Sequence, residues 1–299
     1  MLQTQQGYHW QLKDEHASIH FNAMASPCEL LVDTLEPELV ELLAKLAYAE
    51  TKRIEHKFSR YVADNIVAKI NSSCGQVVEI DQEVFQLLTF AEQCYQLSEH
   101  LFDITSGVLR KAWHFDCSDN LPSQQQVESC MQYVGWDKVK FEHNSIRLQP
   151  DMQLDFGGIG KEYAVSRVAQ LCLAHAPNNS VLVNFGGDIQ VSQAKKNGQA
   201  WHVGIEDPIT GKAEQVLQLT SGALATSGDT NKYLLKDGVR YSHILNPQTG
   251  WPVVNAPRSV TVLASHCIQA GCLATIGLLY GADCEDFLQA QQVKFWCSR

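Results

Sequence analysis

From residue 180 to residue 263 the chain reads as seven short strands with no helical segment between them: 180–184, 201–205, 216–219, 223–227, 231–235, 239–244 and 259–263. Turn signals punctuate this run. Phe185-Gly186-Gly187-Asp188 follows the first strand, and Lys236-Asp237-Gly238 separates two others as a hairpin turn of the Asp-Gly kind. Helical patterns lie mainly outside the block. Apolar residues recur at helical spacing over 36–58, where Pro37 suits the first turn, and over 81–100, where Asp81 is the expected N-cap. Further helices are expected near 161–174 and 268–280, and a short hairpin turning at His143-Asn144-Ser145 within 139–154. Strands and helices that mix without strict alternation favour an α+β fold, with mixed, largely antiparallel sheets flanked by helices, over a doubly wound parallel sheet. No repeat or linker divides the chain, so a single compact unit is expected: a polar segment over 1–19, a main domain over 20–282, and a tail over 283–299 packed on it.

Composition narrows the function classes. The 299 residues are 45% hydrophobic and 19% charged, ordinary for a soluble globular protein. A formal charge of −10 and the absence of any basic stripe argue against a nucleic-acid partner. No basic region followed by an apolar one opens the chain and no apolar run is long enough to span a bilayer, so a cytoplasmic protein with no membrane partner is expected. The ten cysteines form no Cys-x-x-Cys pair and read as free thiols that pack as small hydrophobes. His16 and His20 have helical spacing but no third ligand nearby, so a solvated stretch is the plainer explanation.

Polar and Gly-rich islands interrupt the apolar elements. In Asp155-Phe-Gly-Gly-Ile-Gly-Lys-Glu-Tyr-Ala-Val165, a carboxylate, three glycines and a lysine stand between a strand-like run and a helical pattern. Glycines let a ligand approach the main chain, and a helix starting near Lys161 directs free N–H groups at an anion. The stretch therefore fits a phosphate or pyrophosphate site as well as it fits a close-packed turn. The other islands are Leu101-Phe-Asp-Ile-Thr-Ser-Gly107, Asn184-Phe-Gly-Gly-Asp188, Thr226-Ser-Gly-Asp229 and Tyr241-Ser-His-Ile-Leu-Asn-Pro-Gln-Thr-Gly250, the last placing a histidine inside a strand.

In this order the islands resemble the flavin transferases of the ApbE family over roughly residues 20–282, with Met24-Ala-Ser26 and Phe58-Ser-Arg-Tyr61 as further matching pieces. The resemblance implies an FAD:protein FMN transferase, which cleaves FAD, attaches FMN by a phosphoester to Ser or Thr of an acceptor protein, and releases AMP. It implies an FAD site lined by Met24, Tyr61, Leu101, Phe102, Asp103, Asp155, Lys161, His243 and Ile244. His243 is the expected general base, Lys161 a cation for the pyrophosphate, and Tyr61 an aromatic face or hydroxyl for flavin or adenine. Gly158 and Thr275, with position 271, correspond to the Mg²⁺ site.

One departure from the family pattern bears on that metal: its Ala-Asp-Ala-Leu-Ala-Thr motif reads Ala270-Gly-Cys-Leu-Ala-Thr275 here, so Gly271 stands where the carboxylate belongs. Two smaller departures accompany it, Glu162 after Lys161 where the family favours Gly and Ser166 where it favours Asp. Mg²⁺ wants hard oxygen ligands, and Cys272 is a poor substitute. Asp155 and Asp229 are the carboxylates considered as replacements. The alternatives to transfer are a non-catalytic FAD-binding protein with a degenerate metal site and an FAD pyrophosphatase giving FMN and AMP.

Overall fold

The main sheet runs, in spatial order, through Leu2–Gln5, Tyr8–Leu12, Ala17–Ala23, Ser26–Val32, Val181–Phe185, Asp188–Val191, Gly222–Gly228, Ser259–Ala264 and Lys294–Ser298. Every neighbouring pair is antiparallel. This computed structural model describes residues 2–5, 7–208, 210–211, 213–229 and 233–299.

Side-chain alternation explains why the central strands are apolar throughout. Val181, Val183 and Phe185 point into one core, where the helices Pro37–Phe58, Gly160–His175 and Cys267–Leu279 cover the sheet. Leu182, Ile189, Val191 and Leu224 point the other way, against Trp201, Val203, Ile205 and Leu219 of the hairpin Trp201–Glu206 and Ala213–Leu219. A strand buried on both faces needs no polar partner at alternate positions. A satellite core gathers Val108, Leu109, Trp113, Val127, Cys130 and Leu234, and Trp113 donates its indole N–H to the Gly250 carbonyl at 2.9 Å.

Local signals act as the sequence predicts. Pro37 opens its helix, and Asp81 caps Gln82–Leu97 by accepting from the Val84 N–H at 3.0 Å. Gly186 and Gly187 form a two-residue turn at φ +60° and +97°, a left-handed geometry that a hairpin of this length requires. Asp237 and Gly238 turn the hairpin Tyr233–Lys236 and Val239–Ser242 in the same way. The turn between Lys140–Glu142 and Ser145–Arg147 is His143-Asn144, one residue shorter than expected, because Ser145 pairs with Glu142 and opens the second strand. The strand expected over 231–235 begins at Tyr233, and its expected first residues lie outside the described ones. All ten cysteines are free thiols, and most are buried.

Among the described residues before Ser26, Leu2–Gln5, Tyr8–Leu12 and Ala17–Ala23 are strands of the main sheet. Tyr8–Leu12 and Ala17–Ala23 pair with each other and extend the main sheet, burying Trp10, Ala17 and Ile19. His20 sits within a strand, stacked on His9 across the pair, so its spacing from His16 is not helical. Polar residues on the outer face masked this alternation. At the other end, the tail contributes the helix Cys284–Ala290 and the edge strand Lys294–Ser298.

Glu83 ties three helices together. Its carboxylate accepts from Arg53 at 2.6 Å, Lys57 at 2.6 Å and the Tyr163 hydroxyl at 2.7 Å. Burial alone raises this carboxyl, but hydrogen bonds from Arg53, Lys57 and Tyr163 outweigh it and lower the pKa from 4.5 to about 2. Because the folded-state value is depressed, the stabilisation is present above the unfolded value and lost as pH falls through the folded one. Acid unfolding should therefore show a loss of about 1–2 kcal/mol from this network, allowing for solvent screening, between pH 4.5 and 2. Urea titrations of the Glu83→Gln variant across that range should show a flatter dependence than the parent.

Candidate functional site

Several hairpin tips and helix ends converge on an open cleft of about 2080 Å³. That exceeds the roughly 300–1,000 Å³ of a typical small-ligand pocket. One wall is the turn between Ala17–Ala23 and Ser26–Val32, where Met24 and Ala25 both take positive φ, 52° and 54°. Met24 N–H donates to Glu55 Oε1 at 2.5 Å, which holds this strained turn in place. The Gly186-Gly187 turn lies beside it, and a Cβ on Gly186 would come within 2.9 Å of Ser26 Oγ.

The floor is electrostatic. Asp188, only 2% exposed, accepts from the Thr226 N–H at 3.1 Å and pairs with Lys161 Nζ at 2.8 Å. Burial lowers the Lys161 pKa by itself, but the Asp188 and Glu162 charges and the Asp188 hydrogen bond together outweigh it and keep the ammonium above its ordinary value. Lys161 stands in the first turn of Gly160–His175, a helix start with no side-chain cap, so its free N–H groups suit an anion.

Asp155 caps the 3₁₀ turn Phe156–Gly158 through Gly157 N–H at 2.8 Å, while its other oxygen meets Arg60 Nη1 at 3.0 Å and Arg110 Nε at 3.2 Å. Phe102 lies across Gly158, 3.4 Å from where a Cβ would stand. Asp103 is buried and fully engaged: it accepts from Thr105 N–H at 2.7 Å, Thr105 hydroxyl at 2.6 Å and Trp136 N–H at 3.0 Å. Burial raises its carboxyl against these hydrogen bonds. It fixes the start of the 3₁₀ helix Ile104–Lys111 beneath the cleft wall.

Met24, Leu101, Phe102, Asp103, Asp155, Gly158, Lys161, His243, Ile244 and Thr275 all line this one cleft. His243 is not inside a strand as expected. It follows Val239–Ser242 in a bend, where the Ile244 N–H turns back to Ser242 Oγ at 3.1 Å and Phe115 lies edge-on to the imidazole. Thr275 Oγ1 lies 2.8 Å from Ser227 Oγ.

Two expected residues stand apart from the lining. Tyr61 is 79% exposed beside the Arg60 guanidinium, because the chain leaves the helix Pro37–Phe58 at Ser59 and turns outward. Gly271 is buried in the helix Cys267–Leu279, facing Glu162 rather than the opening. Arg110 and Glu162 also line the cleft, and Asp188 lies beneath it against Lys161; from sequence Arg110 went unnoticed, Asp188 stood only as the end of a turn, and Glu162 only as a departure after the lysine. For Asp188 the available signal was the carboxylate directly after Gly-Gly. Glu162 is buried, and burial first, then the neighbouring Asp188 charge, hold its carboxyl well above the ordinary range.

Comparison with known proteins gives a consistent result. A family model described as the ApbE family matches residues 21–296. A Vibrio cholerae protein named FAD:protein FMN transferase is 28% identical over 257 residues, covering 84% of this chain and 74% of its own length. A Treponema pallidum protein of the same name is 30% identical over 239 residues, 73% of this chain and 66% of its own. The crystal structure of the ApbE protein of Thermotoga maritima superposes with a TM-score of 0.87 at 29% identity over 94% of both chains. Apo flavinyl transferase ApbE of Pseudomonas stutzeri shares the fold, with a TM-score of 0.85 at 24% identity over 96% of this chain and 92% of its own.

The left-handed backbone at Ala25 costs a residue with a Cβ about 1 kcal/mol. Replacing Ala25 with Gly should stabilise the protein by that amount, read as a higher urea midpoint at unchanged slope.

Proposed function

Because the chain belongs to the ApbE family, we propose that it is an FAD:protein FMN transferase that joins FMN by a phosphoester to a Ser or Thr hydroxyl of an acceptor protein. The observation that carries the reading is the Lys161–Asp188 pair at an uncapped helix start, in the same cleft as His243. Lys161 and the first N–H groups of its helix bind the pyrophosphate. Arg110, held against Asp155, adds positive charge to the wall. Catalysis of phosphoryl transfer rests largely on such positioning and charge stabilisation.

The acceptor oxygen attacks the phosphorus on the flavin side. An O–P bond forms, the pyrophosphate bond to the adenylate half breaks, and AMP leaves with the bridging oxygen. His243 takes the hydroxyl proton as general base, a task suited to an imidazole near neutral pH. Mg²⁺, when bound, neutralises pyrophosphate charge. Thr275 and the Gly158 main chain are the oxygen donors assigned to it, while Gly271 has no side chain to offer. The free cysteines suit a reducing compartment and support action in the cytoplasm. Among the described residues no helix is long and apolar enough to cross a membrane.

Incubation with FAD and cytoplasmic protein from the source cell should leave flavin fluorescence on an acceptor band after denaturing electrophoresis. His243→Ala should lower that transfer by about 10²-fold or more, with a much smaller change in FAD affinity by calorimetry. AMP release without any acceptor band would favour the pyrophosphatase. A yellow protein that does neither would favour the flavin carrier.

A further inference from the structure

The helices Gly160–His175 and Cys267–Leu279 pack against each other, and Glu162 of the first meets Gly271 of the second. A Cβ at Gly271 would stand 2.5 Å from Glu162 Cγ, 3.1 Å from its Cδ and 3.2 Å from its Oε1. The glutamate side chain therefore fills the space that a side chain at 271 would take. Its residue is 8% exposed, and Oε2 is fully buried with no hydrogen-bond partner. Yet Glu162 lines the same cleft as Gly158, Lys161, Ser227 and Thr275.

Burying a carboxylate oxygen without a donor or cation is costly, so such an atom calls for a partner. The nearby protein cations are committed elsewhere. Lys161 Nζ sits on Asp188, Arg60 and Arg110 sit on Asp155, and Arg240 and Arg258 sit on Asp229. The two carboxylates considered from sequence as replacement metal ligands, Asp155 and Asp229, are thus each already paired with two arginines. Asp188 beside Glu162 adds negative charge, which the Lys161 ammonium offsets only in part. A hard divalent cation answers this arrangement: it takes oxygen donors, and a carboxylate, a threonine hydroxyl and a main-chain carbonyl are of the right kind.

We propose that Glu162 is the carboxylate ligand of the divalent-cation site, reaching from the neighbouring helix into the place left open at Gly271, with Thr275 and Gly158 completing the protein donors. This deepens the transferase reading, since the cation it holds would serve the pyrophosphate of FAD. The two remain separable, because one concerns metal binding and the other flavin transfer.

The test is titration of metal-stripped protein with Mn²⁺, alone and with FAD, following free Mn²⁺ by electron paramagnetic resonance. The parent should bind Mn²⁺, and the near-isosteric Glu162→Gln should weaken binding by about tenfold or more. Gly271→Asp alone should lower the thermal midpoint, because its Cβ collides with Glu162. The double variant Glu162→Gly with Gly271→Asp should recover both stability and Mn²⁺ affinity, which keeps the test decisive if Glu162→Gln folds poorly. Parent-like Mn²⁺ affinity in Glu162→Gln would overturn the proposal and favour a proton shared between Glu162 and Asp188. Failure of the parent to bind Mn²⁺ with or without FAD would also overturn it. Mn²⁺ held through Glu162 in a protein that transfers no flavin would leave this assignment standing and refute the transferase reading alone.

Discussion

The pairing of Lys161 with Asp188 is the contact on which the site depends. Asp188 follows the Gly186-Gly187 turn of a sheet hairpin, and Lys161 stands at the start of a helix, so their 2.8 Å contact locks a sheet tip to a helix end. The same carboxylate accepts from Thr226 on the adjacent strand. Three separate chain segments thereby acquire a common reference point. A buried pair of this kind contributes less through net attraction than through the penalty for separating it, since either charge left alone in the interior is strongly disfavoured. Rigid placement of a cation in the cleft floor follows from that penalty.

Around this point the protein gathers turns rather than regular structure. The central strands are covered on both faces by apolar side chains, leaving their connecting tips as the places where polar groups can collect. Met24-Ala25 and Gly186-Gly187 are neighbouring tips of successive hairpins, one strained and one relieved by glycine. Asp155 and Asp103 serve as caps that aim the short helical turns beside them, so their carboxylates shape the walls by binding N–H groups of the chain.

Much of this was legible from sequence, for physical reasons. Asp81, Pro37 and the Asp237-Gly238 turn act through local backbone geometry, and local geometry is written locally. The convergence of Lys161, Asp155, Gly158, His243 and Thr275 on one cleft was implied by family resemblance, which carries tertiary information that periodicity does not. What escaped notice depends on partners distant in sequence. The strands over 1–19 alternate weakly because their outer face is polar, and their place is set by pairing with Ser26–Val32 and by Trp10 and Tyr8 bonding to Glu41. Tyr61 was expected in the site from its motif, yet the outward turn after Ser59 depends on Asn65 holding the Ser59 and His56 carbonyls. Glu162 drew attention only as a departure after a lysine. Its meaning emerges when Gly271, more than a hundred positions away, is found against it.

The shared volume of positions 162 and 271 limits how such a chain can change over generations. Glycine at both would leave a void and no acid, whereas side chains at both would overlap. Neither single replacement leads smoothly from one arrangement to the other. The two positions are therefore expected to vary as a unit among descendants, with intermediates purged by selection. A lineage that has crossed over would carry the acid on the other helix and have little route back.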